Sequence, residues 1–206
     1  MSIPNAWGLT YMEVASLTWL AYKGQGTIGR WSFATGGVWR LTNVIQRGSF
    51  RAVVVKNNGR TVLSFSGTDD AVDWLDNVAQ GLTGASWQYA YALSVAASYA
   101  ANVVVGHSLG GGLATYVAIY GGRQCATINP APMNINLVSS IAMIRNGTLV
   151  INYVAAGEAL DLLDAAAPNM IRPGRIYNVP SSGGLNPVNR HLLNYLSGFT
   201  APTKLP

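Results

Sequence analysis

Apolar residues recur along this chain at two spacings, and the spacing changes from segment to segment. Tyr11, Val14, Ala15, Leu17, Thr18 and Tyr22 fall three and four apart, which predicts a helix over 11–22. "RAVVVKN" (51–57) and "RTVLSFS" (60–66) are short β-branched runs joined across Asn57-Asn58-Gly59, a strong hairpin signal. Helical stretches are expected over 70–80, 86–101 and 109–120, and "NVVVG" (102–106) is expected to be a buried strand. "CATINP" (125–130), "TLVINYVAA" (148–156) and "RIYNVP" (175–180) supply three further strands. Strands separated by helices predict an α/β fold: a mainly parallel central sheet flanked by helices, with an antiparallel hairpin near its start. No repeat or linker interrupts the 206 residues, so a single domain over 1–206 is expected. Residues 1–48 are expected to form a helical or irregular segment that packs on the core or lids it.

Composition narrows the setting. Half of the residues are hydrophobic, 10% are charged, and the mean hydropathy is +0.23. Even so, no apolar run reaches the roughly 18 residues of a membrane span, so the chain is not expected to be integral to a membrane. The N-terminal stretch lacks a basic leader and carries Glu13 among its apolar residues, unlike a Sec signal peptide. A cytoplasmic location or export by a non-classical or dedicated secretion route is therefore expected. Cys125 is the single cysteine, read as a small buried hydrophobe.

Charge is uneven: the first 60 residues set Glu13 against Lys23, Arg30, Arg40, Arg47, Arg51, Lys56 and Arg60, with Trp7, Trp19, Trp31 and Trp39 interleaved. Two readings stand side by side, a surface facing anionic phospholipid and a solvated basic surface over core tryptophans. No nucleic-acid-binding signature accompanies the charge, so no nucleic-acid partner is expected.

The chemistry begins at "VVVGHSLGGGLATYVA" (103–118), where Gly106-His107-Ser108-Leu109-Gly110 satisfies G-x-S-x-G between a strand and a helix. So sharp a strand-to-helix turn strains the serine's backbone and leaves no room for side chains two residues to either side. It lifts the serine hydroxyl above the sheet and aims the first N–H groups of the helix at the reaction centre. A Walker phosphate loop would need lysine where His107 stands.

A nucleophilic serine needs a base, and the chain has two histidines. His107 neighbours Ser108 and points away from its hydroxyl in this turn, which leaves His191. The order serine, acid, histidine is that of an α/β-hydrolase. Between Asp76 and Glu158 there is no carboxylate, so the acids after the serine are Glu158, Asp161 and Asp164. Glu158 directly follows its strand, while Asp161 lies a helical turn further and has the commoner chemistry. Glu158 is preferred, Asp161 is the alternative and Asp164 is third. Acids at a helix start also stabilise it without any catalysis.

Ser108, His191 and the stretch "FSGTDDAVDWLDNV" (65–78) together give the chain a resemblance to the class 3 lipases, α/β-hydrolases that cleave acylglycerols and phospholipids. Members carry an F-R-G-T-like turn and a following D-W upstream of a G-H-S-L-G-G elbow. Phe65-Ser66-Gly67-Thr68, Asp73-Trp74 and Gly106–Gly111 are similar to these, over roughly residues 50–195. The resemblance implies an oxyanion hole from the backbone N–H groups of Thr68 and Leu109. Ser66 stands where the family has arginine, and Glu158 where it has Asp.

Asp69, Asp70, Asp73 and Asp76 suggest helix capping rather than a metal site, and no metal is expected. Gly24–Gly29 matches G-x-G-x-x-G without the flanking strand and helix of a dinucleotide site, so no cofactor is expected either. The function expected is a serine ester hydrolase acting on lipid esters at a membrane or lipid interface, of lipase or phospholipase A type, through an acyl-enzyme. The alternatives are a soluble-ester or cutinase-like esterase and a non-catalytic lipid-binding module on a hydrolase scaffold. Any lid must be short, and the Trp-rich N-terminal stretch and residues 134–144 are the candidates for it.

Overall fold

A computed structural model describes residues 3–23, 28–67, 86–161 and 169–206. Helix α1 (Tyr11–Lys23) precedes four strands, β1 (Gly29–Ser32), β2 (Val38–Arg47), β3 (Phe50–Asn57) and β4 (Arg60–Phe65). Helix α2 (Ser86–Ser98) leads to β5 (Val103–Ser108), α3 (Leu109–Gly121) and β6 (Gln124–Pro130). The short β7 (Met133–Asn134), α4 (Ser140–Asn146), β8 (Val150–Ala155), β9 (Met170–Ile171) and β10 (Arg175–Val179) follow. A short helix α5 (Pro187–His191) and β11 (Thr203–Lys204) lie furthest along the chain.

Among the described residues the main sheet has nine strands in the order β10-β8-β6-β5-β4-β3-β2-β1-β11. From β4 to β10 all pairings are parallel, and from β4 back to β11 all are antiparallel. The expected hairpin is the β3–β4 unit. Asn58 and Gly59 take φ of 45° and 76°, which twist a two-residue turn to match its strands.

Helices cover both faces, which explains why the central strands are continuous apolar runs rather than alternating ones. Val103 and Val105 of β5 point into a core shared with α1, while Val104 points into a second core beneath α2 and α3. Val53 and Val55 of β3 divide from Ala52 and Val54 in the same way. Each such valine, taken fully out of water, contributes about 1.5–3 kcal/mol before the entropy of ordering it is subtracted.

Residues 1–48 are more regular than their sequence suggested. Besides α1 they hold β1 and β2, which extend the sheet by two antiparallel strands. Alternation is present at the start of β2, where Trp39 and Leu41 are buried and Val38 and Arg40 exposed. A bulge between Leu41 and Asn43 then breaks the period, which is why the strand was hidden.

Trp31 and Trp39 are buried, and Trp7 and Trp19 pack against the same core, so the N-terminal tryptophans are core aromatics beneath an exposed basic surface. The buried side of α1 likewise belongs to the core. Of the other stretch considered as a lid, Ile141 and Ile144 on α4 are exposed. The helix expected over 70–80 lies outside the described residues. No described helix is long and apolar enough to cross a membrane.

Candidate active site

The serine turn follows from sterics. Ser108 ends β5 and precedes α3 with φ 58° and ψ −130°, a strained combination for a residue with a side chain. A methyl group on Gly106 would overlap the backbone of Gly110, and one on Gly110 would overlap the carbonyl of Phe65 at the end of β4. Both glycines are therefore required for the elbow to close against its neighbouring strand. The Ser108 hydroxyl makes no capping bond to α3, and Leu109 opens that helix directly behind it. Ser108 lies against the chain segment that follows β4, since a side chain on Gly67 would meet its β-carbon at 2.9 Å. Thr68, the other donor implied by the resemblance, lies outside the described residues, as do Asp69, Asp70, Asp73, Asp76 and Asp164.

His191 ends α5 and is 2% exposed. Its Nδ1 bonds Oε2 of Glu158 at 2.7 Å, and Glu158 is wholly buried. A turn with Gly157 at φ 72° swings the chain off the end of β8 and delivers Glu158 to this position. The Leu160 N–H also donates to Oε2, at 2.9 Å, so the acid caps a helical turn while it holds the imidazole. Asp161, the alternative, faces elsewhere: it accepts from Arg172 at 3.2 Å and from the Gly157 N–H at 3.2 Å, and its side chain is 42% exposed. Burial pushes the Glu158 carboxyl up, but the His191 hydrogen bond and charge, Arg172 and the Leu160 N–H together hold it below its ordinary value.

Three residues of the site went unnoticed in the sequence. Arg172, 3% exposed, donates Nη2 to Oε1 of Glu158 at 2.8 Å. Its signal was one of charge balance: a buried acid needs a cation, and from Glu158 to His191 the cations are Arg172, Arg175 and Arg190. Asn129, buried with φ 41°, donates to the carbonyls of His191 at 2.9 Å and Arg190 at 3.2 Å and accepts from the Ala155 N–H. Tyr22 of α1 accepts from the Gly67 N–H and bonds Nδ1 of His107, both at 2.8 Å.

The His107 ring is thereby spanned. Its Nε2 faces the His191 carbonyl at 2.8 Å, which can only accept, so Nε2 carries the proton and the Tyr22 hydroxyl donates to Nδ1. The elbow histidine thus ties the backbone of His191 to α1. Burial and the neighbouring His191 ring push the His107 imidazole down to about 3, although the His191 carbonyl favours its protonated form. The unfolded chain therefore binds a proton at His107 between about pH 6.5 and about 3 that the folded chain refuses, so stability falls as pH drops through that window. Glu158 adds to the loss below its unfolded value, because its depressed carboxyl must be protonated on acid unfolding. Each pH unit crossed by one such group is worth about 1.4 kcal/mol. Thermal unfolding followed by circular dichroism at pH 7, 6 and 5 should show Tm falling with pH, and a shallower fall in His107→Gln. Parallel slopes for the two proteins would contradict a neutral, buried His107.

Among the described residues no group of three or more His, Cys, Asp or Glu is placed to hold a metal ion. Cys125 of β6 is buried in the core shared with α3, and that burial pushes its thiol up.

The chain is similar to known phospholipases and lipases. Over 87 residues, 40% of this chain and 27% of the relative, the chain is 41% identical to an extracellular phospholipase A1 of Serratia liquefaciens. The chain thus spans about a quarter of the length of that curated relative. A solved triacylglycerol lipase, whose catalytic centre is described as a serine protease triad, superposes with a TM-score of 0.47 at 17% identity, over 68% of this chain and 67% of that one. The family model of the Tle-like phospholipase domain, within the phospholipase-like group, matches residues 33–180, more than two thirds of the chain. On that coverage, the chain belongs to the Tle-like phospholipase domain family.

Proposed function

We propose that this domain is a serine-dependent phospholipase of the A type, with Ser108 as nucleophile, His191 as general base and Glu158 as the acid that orients it. The observation that carries the reading is the buried 2.7 Å bond between His191 and Glu158 behind the strained Ser108 elbow, in a chain of a phospholipase family. Oγ of Ser108 bonds to the ester carbonyl carbon as its proton passes to Nε2 of His191. The N–H groups of Leu109 and Thr68 receive the negative charge that develops on the carbonyl oxygen. Collapse breaks the bond to the glycerol oxygen, which leaves with the proton held by His191. Water then attacks the acyl-serine by the same route, giving a free fatty acid and restoring Ser108. Glu158 stays ionised and bonded to Nδ1 throughout, fixing the tautomer that leaves Nε2 to face the serine. The likeness to a phospholipase A1 favours the acyl chain at the first glycerol position.

The test is mass spectrometry of products after wild-type protein and Ser108→Ala are each incubated with vesicles of a phospholipid whose two acyl chains differ. Lysophospholipid and the first-position fatty acid should appear with wild type alone. Turnover of soluble esters without attack on vesicles would replace this reading with a soluble-ester hydrolase. Vesicle binding without turnover by either protein would replace it with a binding module.

A further inference from the structure

Glu158 has a second partner that the proposed reaction does not use. Its Oε2 is taken by His191 and the Leu160 N–H, and its Oε1 by Nη2 of Arg172 at 2.8 Å. The same guanidinium reaches Oδ1 of Asp161 through Nη1 at 3.2 Å. Glu158 is wholly buried, Arg172 is 3% exposed, and Asp161 stands at the solvent edge.

A buried carboxylate facing a neutral imidazole has no charge to balance it, and an uncompensated charge in that setting is strongly unfavourable. It would escape the cost by taking up a proton, which would leave His191 without an anion to steady its cation. Arg172 supplies the missing charge at rest. During turnover the imidazolium of His191 and the guanidinium of Arg172 then share one carboxylate.

We infer that Arg172 is a positioning residue that sets the pH range of the enzyme: its charge keeps Glu158 ionised and weakens the proton affinity of the Glu158–His191 pair. The inference rests on the proposed roles of Ser108, His191 and Glu158. Without the cation Glu158 takes up a proton more readily, and the pair it forms with His191 stays protonated to higher pH. Asp161 opposes Arg172 by drawing on the same guanidinium. The other charged or titratable groups near the pair, among the described residues, are His107, whose ring centroid lies 4.7 Å from that of His191, and Arg190, which bonds the carbonyls of Gly184 and Ala156. His107 is held neutral, and Arg190 is engaged with backbone, so Arg172 is the cation aimed at the acid itself.

The experiment records kcat/KM against pH from 5 to 9 on a soluble short-chain ester, for wild type, Arg172→Met, Arg172→Lys and Asp161→Asn. Each preparation is normalised by active-site titration with a phosphonate. In Arg172→Met the acid limb should move up by about one pH unit, a tenfold loss on that limb, with less change at alkaline pH. Arg172→Lys should restore most of the wild-type profile. Asp161→Asn, at a half-exposed position that tolerates exchange, should move the limb the opposite way. A purely structural arginine would lower the titratable fraction and Tm without displacing the limb, and unmoved limbs in both Arg172→Met and Asp161→Asn overturn the inference. Should Arg172→Met fail to fold, the direction of the Asp161→Asn shift decides alone. If activity instead survives in Ser108→Ala, it is the proposed site that fails.

Discussion

Ser108→Ala should lower kcat by about 10⁶-fold on both vesicle and soluble esters while leaving Tm close to that of wild type. The size is that seen when the nucleophile of a serine triad is removed, since the remaining groups act only as a unit. The unchanged stability has a separate basis. The serine hydroxyl makes no capping bond to α3, and the strained φ of 58° is imposed by Gly106, Gly110 and the adjacent strands rather than by the hydroxyl. Alanine carries the same β-carbon into the same turn. Steady-state kinetics with thermal unfolding on one preparation checks both halves, and a variant retaining a tenth of the activity would remove Ser108 from the mechanism.

Glu158→Gln should cost about 10⁴-fold in kcat, the scale of an acid lost from a triad, and should also destabilise the fold. The amide can present either its oxygen or its NH₂ to Nδ1 of His191, and the second choice holds the imidazole in the tautomer that cannot accept from Ser108. In that orientation the amide oxygen still accepts from Nη2 of Arg172 but carries no charge, and breaking a buried ion pair from one side typically costs about 3–5 kcal/mol. Glu158→Asp keeps the charge but falls short of the imidazole, and a displacement of about 1 Å is worth about a hundredfold. Asp161→Asn should cost no more than about fivefold at its optimum, because its contact with Arg172 is half exposed. A larger loss in Asp161→Asn than in Glu158→Gln would exchange the roles of the two acids.

The sequence could be read where local chemistry leaves one answer. The Asn58-Gly59 turn, the glycines around Ser108 and the β-branched run before it admit few conformations, and the structure has the hairpin and the elbow there. His191 was reached by elimination, because the other histidine adjoins the serine. Glu158 was preferred to Asp161 for its place directly after the strand, but its bond to His191 could not be read from that place alone. A position just after a strand and one a turn further along differ only in where a glycine bends the chain, and Gly157 bends it so that Glu158 turns inward. Strands β1 and β2 were missed because a bulge and a basic surface mask their alternation. Arg172, Asn129 and Tyr22 were missed because each acts through a contact distant in sequence, and nothing in the local pattern of a single chain marks such a partner.

The span of the family match has a practical consequence when set against the hydrogen bonds of Tyr22 and His191. A fragment cut at residues 33 and 180 would keep the elbow, Glu158 and Arg172. It would lose His191, the proposed general base, and with α1 it would lose the Tyr22 hydroxyl that bonds both the Gly67 N–H and His107. It would also break up the β1–β11 seam, leaving the outer edge of the sheet open to self-association. Similarity therefore delimits the part of this domain that is shared with its family, whereas the proposed working unit extends outward on both sides, and cloning boundaries drawn from the match alone should yield an inert, aggregation-prone protein.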